Sequence, residues 1–311
     1  MSQITQHILM IQPVSFRFNE QTATNNYYQK VLDGLSPQAT QEKALLEFNA
    51  FVDKLRSKGV NVIVIPDTKE PDTPDSIFPN NWVSFHRDGG IGLYPMCAEN
   101  RRTERRDDIF DILVDDYGFQ IEQIHDFTEF EEYDRYLEGT GSMILDRENK
   151  YCYAAISERT DEQAVIQFCD VFGYKPVCFT ANQDVHGERL AIYHTNVMMC
   201  VADNFAVVCL DAIDELEERT HVIEVLVETD KEIIEISEEQ KQHFAGNMLQ
   251  LMGDKPYLVM SDSAYNSLSP QQISQIEKHC PIIHSSLGTI EACGGGSARC
   301  MMAEIFLPKS K

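Results

Sequence analysis

The chain alternates between two hydrophobic periods. In "TQEKALLEFNAFVDKLRSKG" the apolar residues Leu45, Phe48, Val52 and Leu55 recur at helical spacing, and Gly59 supplies a helix stop. The continuous apolar run "VNVIVIP" follows at once and reads as a strand. The same helix, glycine, strand order recurs in "TERRDDIFDILVDDYG" into "FQIEQIH", with Gly118 as the stop, and in "DEQAVIQFCDVFG" into "YKPVCFT", with Gly173. Two looser copies are "RTHVIEVLVET" into "EIIEIS" and "SPQQISQIEKHC" into "PIIHSS".

Hairpin-like apolar stretches precede several of these helices. "SMILDRENKYCYAAIS" turns at Asp146 to Lys150, and "NVMMCVADNFAVVCL" turns at Ala202 to Asn204. The C-terminal run "RCMMAEIFL" lacks a helix and strand of its own, and the first ones of the chain can supply them. Counted that way, five β-β-α-β units recur roughly every 45 to 65 residues without clear sequence identity. No Pro/Ser-rich linker divides them, so residues 1–311 read as a single α/β domain with strands inside and helices outside. An ordinary doubly wound sheet is the alternative, but no G-x-G-x-x-G follows a strand and no G-x-x-x-x-G-K-[ST] occurs.

Composition narrows the function. With 311 residues, 43% of them hydrophobic, the chain can build a real core. A formal charge of −24 argues against nucleic acid and anionic membrane surfaces as partners. No apolar run approaches the ~18 residues of a spanning helix, and the N-terminus lacks the features of a signal peptide. Nine cysteines without any C-x-x-C pair point to a reducing cytoplasm rather than to a disulfide framework or a zinc ribbon. No metal or cofactor is implied, since the cysteines and histidines lack ligand spacing.

Polar residues cluster where strands begin. "YHTNVMM" sets His194 before an apolar run, and "LEGTGSMIL" sets Glu138 before two glycines. "TPDSIFPNNW" holds Asp75, Asn80 and Asn81 between two prolines and the single tryptophan. "GGGSARCMM" sets Cys300 after three glycines. A triple glycine is costly unless the backbone turns sharply or approaches a ligand. Seven cysteines lie in or beside apolar patterns and read as small hydrophobes; Cys293 and Cys300 alone flank the glycines.

Taken together, "GGGSARCM", "EGTG", "YHTN" and "AAISERT" resemble the guanidine-modifying amidinotransferase superfamily, or penteins, which includes arginine deiminase and dimethylarginine dimethylaminohydrolase. The layout of "PDSIFPNNW", "EGTGSMILDR" and the C-terminal cysteine looks most similar to the citrulline utilization hydrolase branch. The resemblance implies an α/β propeller of five pseudo-symmetric ββαβ units around a central active site. It implies Cys300 as nucleophile, His194 as general acid/base and Glu138 as its carboxylate. It also implies Asp75 as a substrate ligand and Arg159 as the grip on an α-carboxylate. Arg101 matches a second carboxylate-binding arginine, although Arg102 stands beside it. No cofactor is implied; the expected partner is a small amino-acid substrate, and a homodimer is compatible with the family.

The chain departs from arginine deiminase at two positions, where Asn81 and Asn196 replace aspartates. Paired carboxylates clamp a guanidinium by charge-assisted bonds, whereas an amide can both donate to a carbonyl and accept from an NH₂. The expectation is therefore a cysteine-dependent hydrolase of the ureido C–N bond of citrulline, yielding ornithine, CO₂ and ammonia. The alternatives are a guanidino-group hydrolase or amidinotransferase, and a non-catalytic pentein-like binding protein.

Overall fold

The computed structural model describes residues 2–32 and 34–309. Among them, five three-stranded sheets share one plan: two antiparallel strands, a helix, then a third strand parallel to the second. Val83–Phe85, Gly90–Leu93 and Gln123–Asp126 form one sheet. Ile144–Asp146, Tyr151–Ala155 and Lys175–Phe179 form the next. Met199–Val201, Phe205–Val208 and Glu232–Glu235 follow, then Leu249–Met252, Pro256–Ser261 and Ile282–Ser285. In the remaining sheet the C-terminal strand Ala303–Ile305 lies antiparallel to His7–Gln12, which is parallel to Asn61–Pro66. The two ends of the chain thus complete one unit between them. A separate hairpin, Asn182–Val185 with Glu188–Ala191, had no signature in the apolar pattern.

The helices form where the periodicity places them. Pro37–Ser57 starts at Ser36, whose hydroxyl accepts from the Ala39 N–H, with proline in the first turn. It buries Ala44, Phe48, Phe51, Val52 and Leu55 on one face. Truncating Phe48 or Phe51, both fully buried, to alanine would cost about 3–5 kcal/mol. The segment "TERRDDIFDILVDDYG" is shorter as a helix than its pattern suggests, covering only Asp108–Asp115. The residues before it are diverted inward: Glu104 is buried against Arg101, which closes the one-turn helix Glu99–Arg102.

Each first strand is only three or four residues long and is entered through a tight turn. The turns are Pro79–Asn81, Gly139–Ser142, Thr195–Val197, residues 244–247 and Ala298–Met301. They touch in cyclic order. Gly139 lies against the Asn80 and Asn81 carbonyls, and Thr195 Oγ1 donates to the Ser142 carbonyl at 2.5 Å. Gly246 packs on Val197 and Met198. Asn247 Oδ1 accepts from the Arg299 N–H at 3.0 Å, and Ala298–Met301 returns to Pro79–Asn81. At Gly141 the approach leaves no room for a side chain. A Cβ there would sit 2.4 Å from Asn81 Nδ2 and 2.8 Å from His194 Nδ1. All the polar strand starts read from the sequence are therefore neighbours.

Candidate active site

Six of the residues singled out in the sequence, Asp75, Asn81, Arg101, Arg159, His194 and Cys300, line one cavity. The other two stand directly behind it, Glu138 on His194 and Asn196 on Cys300. The free space is ≈ 10 Å³, room for about one water, so this conformation is closed over the thiol. Thr22 and Asn26, from the loop before Pro37–Ser57, help close it.

His194 Nε2 lies 2.7 Å from Glu138 Oε2. Burial alone would raise the Glu138 carboxyl, but Arg159, the His194 hydrogen bond and Arg101 hold it well below the usual carboxylate range. An ionised carboxylate only accepts, so His194 carries its proton on Nε2 and presents Nδ1 as a free base. Burial pulls the imidazole down to about 4 against the opposing pull of Glu138. The ring is therefore neutral at pH 7.

Cys300 Sγ accepts from two amides, Asn196 Nδ2 and Asn247 Nδ2, each at 3.3 Å. Both amides therefore aim an N–H at the one sulfur. Cys293 and Cys300 belong to the same apolar cluster under Pro37–Ser57, but only Cys300 lines the cavity. Gly294 and Gly296 are explained by Phe78, since a Cβ on either would come within 2.7 or 2.9 Å of that ring, and Gly295 by a φ of +62° and the Asn26 side chain. The bare backbone thus forms the cavity wall beside the thiol.

The arginines divide their work. Arg101 is 2% exposed and points inward, whereas Arg102 reaches the Met96 carbonyl and Glu131 near the surface. Arg101 grips Glu104 with Nε and Nη2 at 2.8 and 2.9 Å and donates to Asn81 Oδ1 at 2.9 Å. Most of its donors are therefore spent inside the protein. Arg159 donates to the Thr22 carbonyl, to Asn25 Oδ1 and to Glu138, and stands 5.1 Å from the Tyr193 ring centre.

Two expectations change in detail. The Asn81 amide is occupied by Arg101 and Asn80, so it shapes the Arg101 guanidinium rather than standing free for a ligand. Asn196 sits on the sulfur itself, and its Oδ1 is buried without a partner. Asp75 accepts from Asn19 and Thr22 through Oδ2, while its Oδ1 is likewise unpartnered. Sequence reasoning missed Asn247 and Glu104. "GNMLQLM" enters its strand as "TNVMMCV" does, and aligning the two would have revealed Asn247. Glu104 stood inside a charge run that reads as solvated.

A thiol on amide donors, an imidazole backed by a buried carboxylate, and interleaved guanidinium and carboxylate groups at the meeting point of small ββαβ sheets define a pentein guanidino-modifying enzyme. The sequence profile of the family described as "N,N dimethylarginine dimethylhydrolase, eukaryotic" matches residues 12–307, and the chain belongs to that family. Its relatives are hydrolases acting on C–N bonds other than peptide bonds. Apo ArgZ, an arginine dihydrolase from the ornithine-ammonia cycle in cyanobacteria, superposes with a TM-score of 0.73 at 18% identity. The match covers 98% of this chain and 41% of that one. The substrate-bound N-terminal domain of ArgZ gives 0.71 at 18%, covering 97% and 99%. A dimethylarginine dimethylaminohydrolase adduct with S-methyl-L-thiocitrulline gives 0.64 at 16%, covering 97% and 100%. The chain thus spans about 41% of the whole dihydrolase. No curated protein sequence matches it. Among the described residues, no helix is long and apolar enough to cross a membrane.

Proposed function

We propose that this chain hydrolyses a C–N bond at the guanidino carbon of an arginine-like amino acid, through a covalent intermediate on Cys300. The observation that carries the reading is Asp75, a carboxylate 2% exposed that lines the cavity of the thiol and keeps Oδ1 without a partner. An unpaired buried carboxylate oxygen is costly, and a cationic N–H-rich group supplies the missing donor. His194 Nδ1 takes the thiol proton and the thiolate attacks the planar carbon. The imidazolium then protonates the departing nitrogen, which leaves as ammonia or an alkylamine. Water, deprotonated by His194, adds to the amidino-enzyme; the sulfur leaves with the proton returned to it, and the ureido product is released. Glu138 fixes the imidazole and stabilises its cation, and Arg159 meets the α-carboxylate when the Thr22–Asn25 contacts open.

A second reading, hydrolysis of citrulline itself, is favoured by the neutral amides of Asn196 and Asn247 on the sulfur. Their N–H groups can serve a ureido oxygen as well as a thiolate. The same thiol would then expel the ornithine amine and leave a carbamoyl group that water removes. The single catalytic domain is proposed as a five-bladed α/β propeller, supported by the cyclic contacts of the five turns. L-Arginine, Nω,Nω-dimethyl-L-arginine and L-citrulline are incubated separately with the protein, and citrulline, ornithine, amines and ammonia are quantified by mass spectrometry. Guanidino turnover with an acid-trapped adduct on the Cys300 peptide supports the first reading. Turnover of citrulline alone replaces it with the second, and no turnover of any of the three refutes both.

A further inference from the structure

At the far end of the short first strands from the thiol lies a second cavity of ≈ 150 Å³. In a chain of net charge −24, its walls carry Arg87, Arg147 and Lys150, with His86, Tyr174 and Phe306 between them. The charges are poorly matched. Arg147, 5% exposed, has its Nε 3.5 Å from Glu304 Oε1, while Glu304 Oε2 takes Arg299 at 2.6 Å, so two guanidinium groups share one carboxylate. Arg147 and Arg87 stand 4.2 and 4.9 Å from the Phe306 ring centre, and Lys150 stands 4.4 Å from the Tyr174 ring centre. Asp88 is the one carboxylate on the wall, and its Oδ1 is taken by the Gly90 N–H. The cations also disfavour one another. Burial and Arg147 pull Lys150 down against the opposing pull of Asp88, and burial followed by Arg147, Lys150 and His125 pulls His86 well below its ordinary value.

The position of this cavity is as telling as its charge. His86 directly follows Val83–Phe85, Arg147 follows Ile144–Asp146, and Phe306 follows Ala303–Ile305. Those strands begin beside Asn81, the Glu138 turn and Cys300. A three-residue strand is about 10 Å long, so three rigid struts join the two cavities. We propose that this second cavity binds a compact dianion, orthophosphate or the phosphate end of a monoester, and that occupancy is transmitted to the turns holding Asn81, Glu138 and Cys300. Guanidinium forks match phosphate oxygens in pairs and a lysine adds a point charge. A tetrahedral ion concentrates two charges in a space this small, whereas a dicarboxylate spreads them.

The proposal is tested by calorimetric titration of the intact chain at low ionic strength with orthophosphate, glycerol 3-phosphate and succinate. One saturable phosphate site is expected. Arg87→Met and Lys150→Met keep the alkyl stems over Phe306 and Tyr174 and should each weaken binding about tenfold to a hundredfold, with Arg87→Lys recovering part of it. Tighter binding of glycerol 3-phosphate identifies a monoester, and its exclusion identifies the free ion. In parallel, the rate of Cys300 alkylation by iodoacetamide, read on its own peptide, should change about fivefold or more at saturating phosphate. It should not respond in Lys150→Met. Absent binding, equal binding by the methionine variants or a preference for succinate overturns the site. Binding with an unchanged alkylation rate overturns the transmission.

Discussion

Replacing Asn247 tests how the thiol is held. This fully buried amide donates to the Asn196 carbonyl at 2.9 Å and to Cys300 Sγ at 3.3 Å, and accepts from the Arg299 N–H at 3.0 Å. Asn247→Ala removes one of the two donors on sulfur. A hydrogen bond to a charged group is worth about 1.5–3 kcal/mol, so thiolate-dependent rates should fall about tenfold to a hundredfold. Asn247→Asp keeps the shape but places a carboxylate beside the sulfur. Two unit charges at that spacing repel by about 5 kcal/mol at an effective dielectric of 20, which is between three and four powers of ten in the thiolate population. Aspartate also sets a carboxylate oxygen against the Asn196 carbonyl and buries an unpaired charge, whereas alanine strands the Arg299 N–H and leaves a void, so both variants should melt below wild type. The assay is the second-order alkylation rate of Cys300 at pH 7 alongside thermal melting of each variant. Alkylation should rank wild type, Ala, Asp, with both variants melting below wild type. Equal rates for Ala and Asp, or losses under twofold in both, would refute the argument that amide donors hold the sulfur.

Three further outcomes follow from the geometry. Arg159→Ala should raise KM about tenfold to a hundredfold for substrates with an α-carboxylate and change KM for agmatine by less than about twofold, while kcat falls alike for both because Glu138 loses a partner; equal KM effects on both would make Arg159 structural. Gly141→Ala forces a methyl against Asn81 and His194, so both kcat and Tm should drop, and a variant with wild-type kcat would show that the turns yield. Burial pushes the Glu291 carboxyl up to about 7 from 4.5. The folded chain therefore binds more protons than the unfolded one between those values, and this group's contribution to stability falls as pH rises through that window. Glu291→Gln should relieve a penalty on the order of 3 kcal/mol at pH 8 and nothing near pH 4; denaturant titration at the two pH values checks it, and a pH-independent difference would count against the assignment.

Much of the fold was legible because apolar spacing is a local signal. Leu45 to Leu55 and the run from Val60 to Pro66 announce a helix and a strand with no reference to the rest of the chain. The strand starts were legible for another reason. His194, Glu138 and Cys300 are chemically conspicuous where only turn residues are needed. Asn247 does the same job with an ordinary side chain in an ordinary turn, and only its distance from Sγ reveals it. Glu104 was hidden by its neighbours, and Arg101 was singled out only through the resemblance. In "NRRTERR" the burial of two of the charges depends on a one-turn helix facing inward, which no charge pattern encodes. The loop that brings Thr22, Asn25 and Asn26 over the cavity has no periodicity at all, so its placement comes entirely from its partners, Asp75, Arg159 and Gly295.

The pairing of Ala303–Ile305 with His7–Gln12 also has a meaning in time. A ribosome makes the second strand of that sheet long before the first. At about 5–20 residues per second, tens of seconds separate them. Throughout that interval the edge of His7–Gln12 is unpaired and apolar, the kind of surface that recruits stray strands and chaperones. The strand that closes it is the one Cys300 leads into. Arrested nascent chains ending before residue 300 should therefore bind chaperone and fail to trap a thiol adduct, and release of the last segment should end both conditions in one step. Catalytic competence is thus withheld until the sheet is sealed.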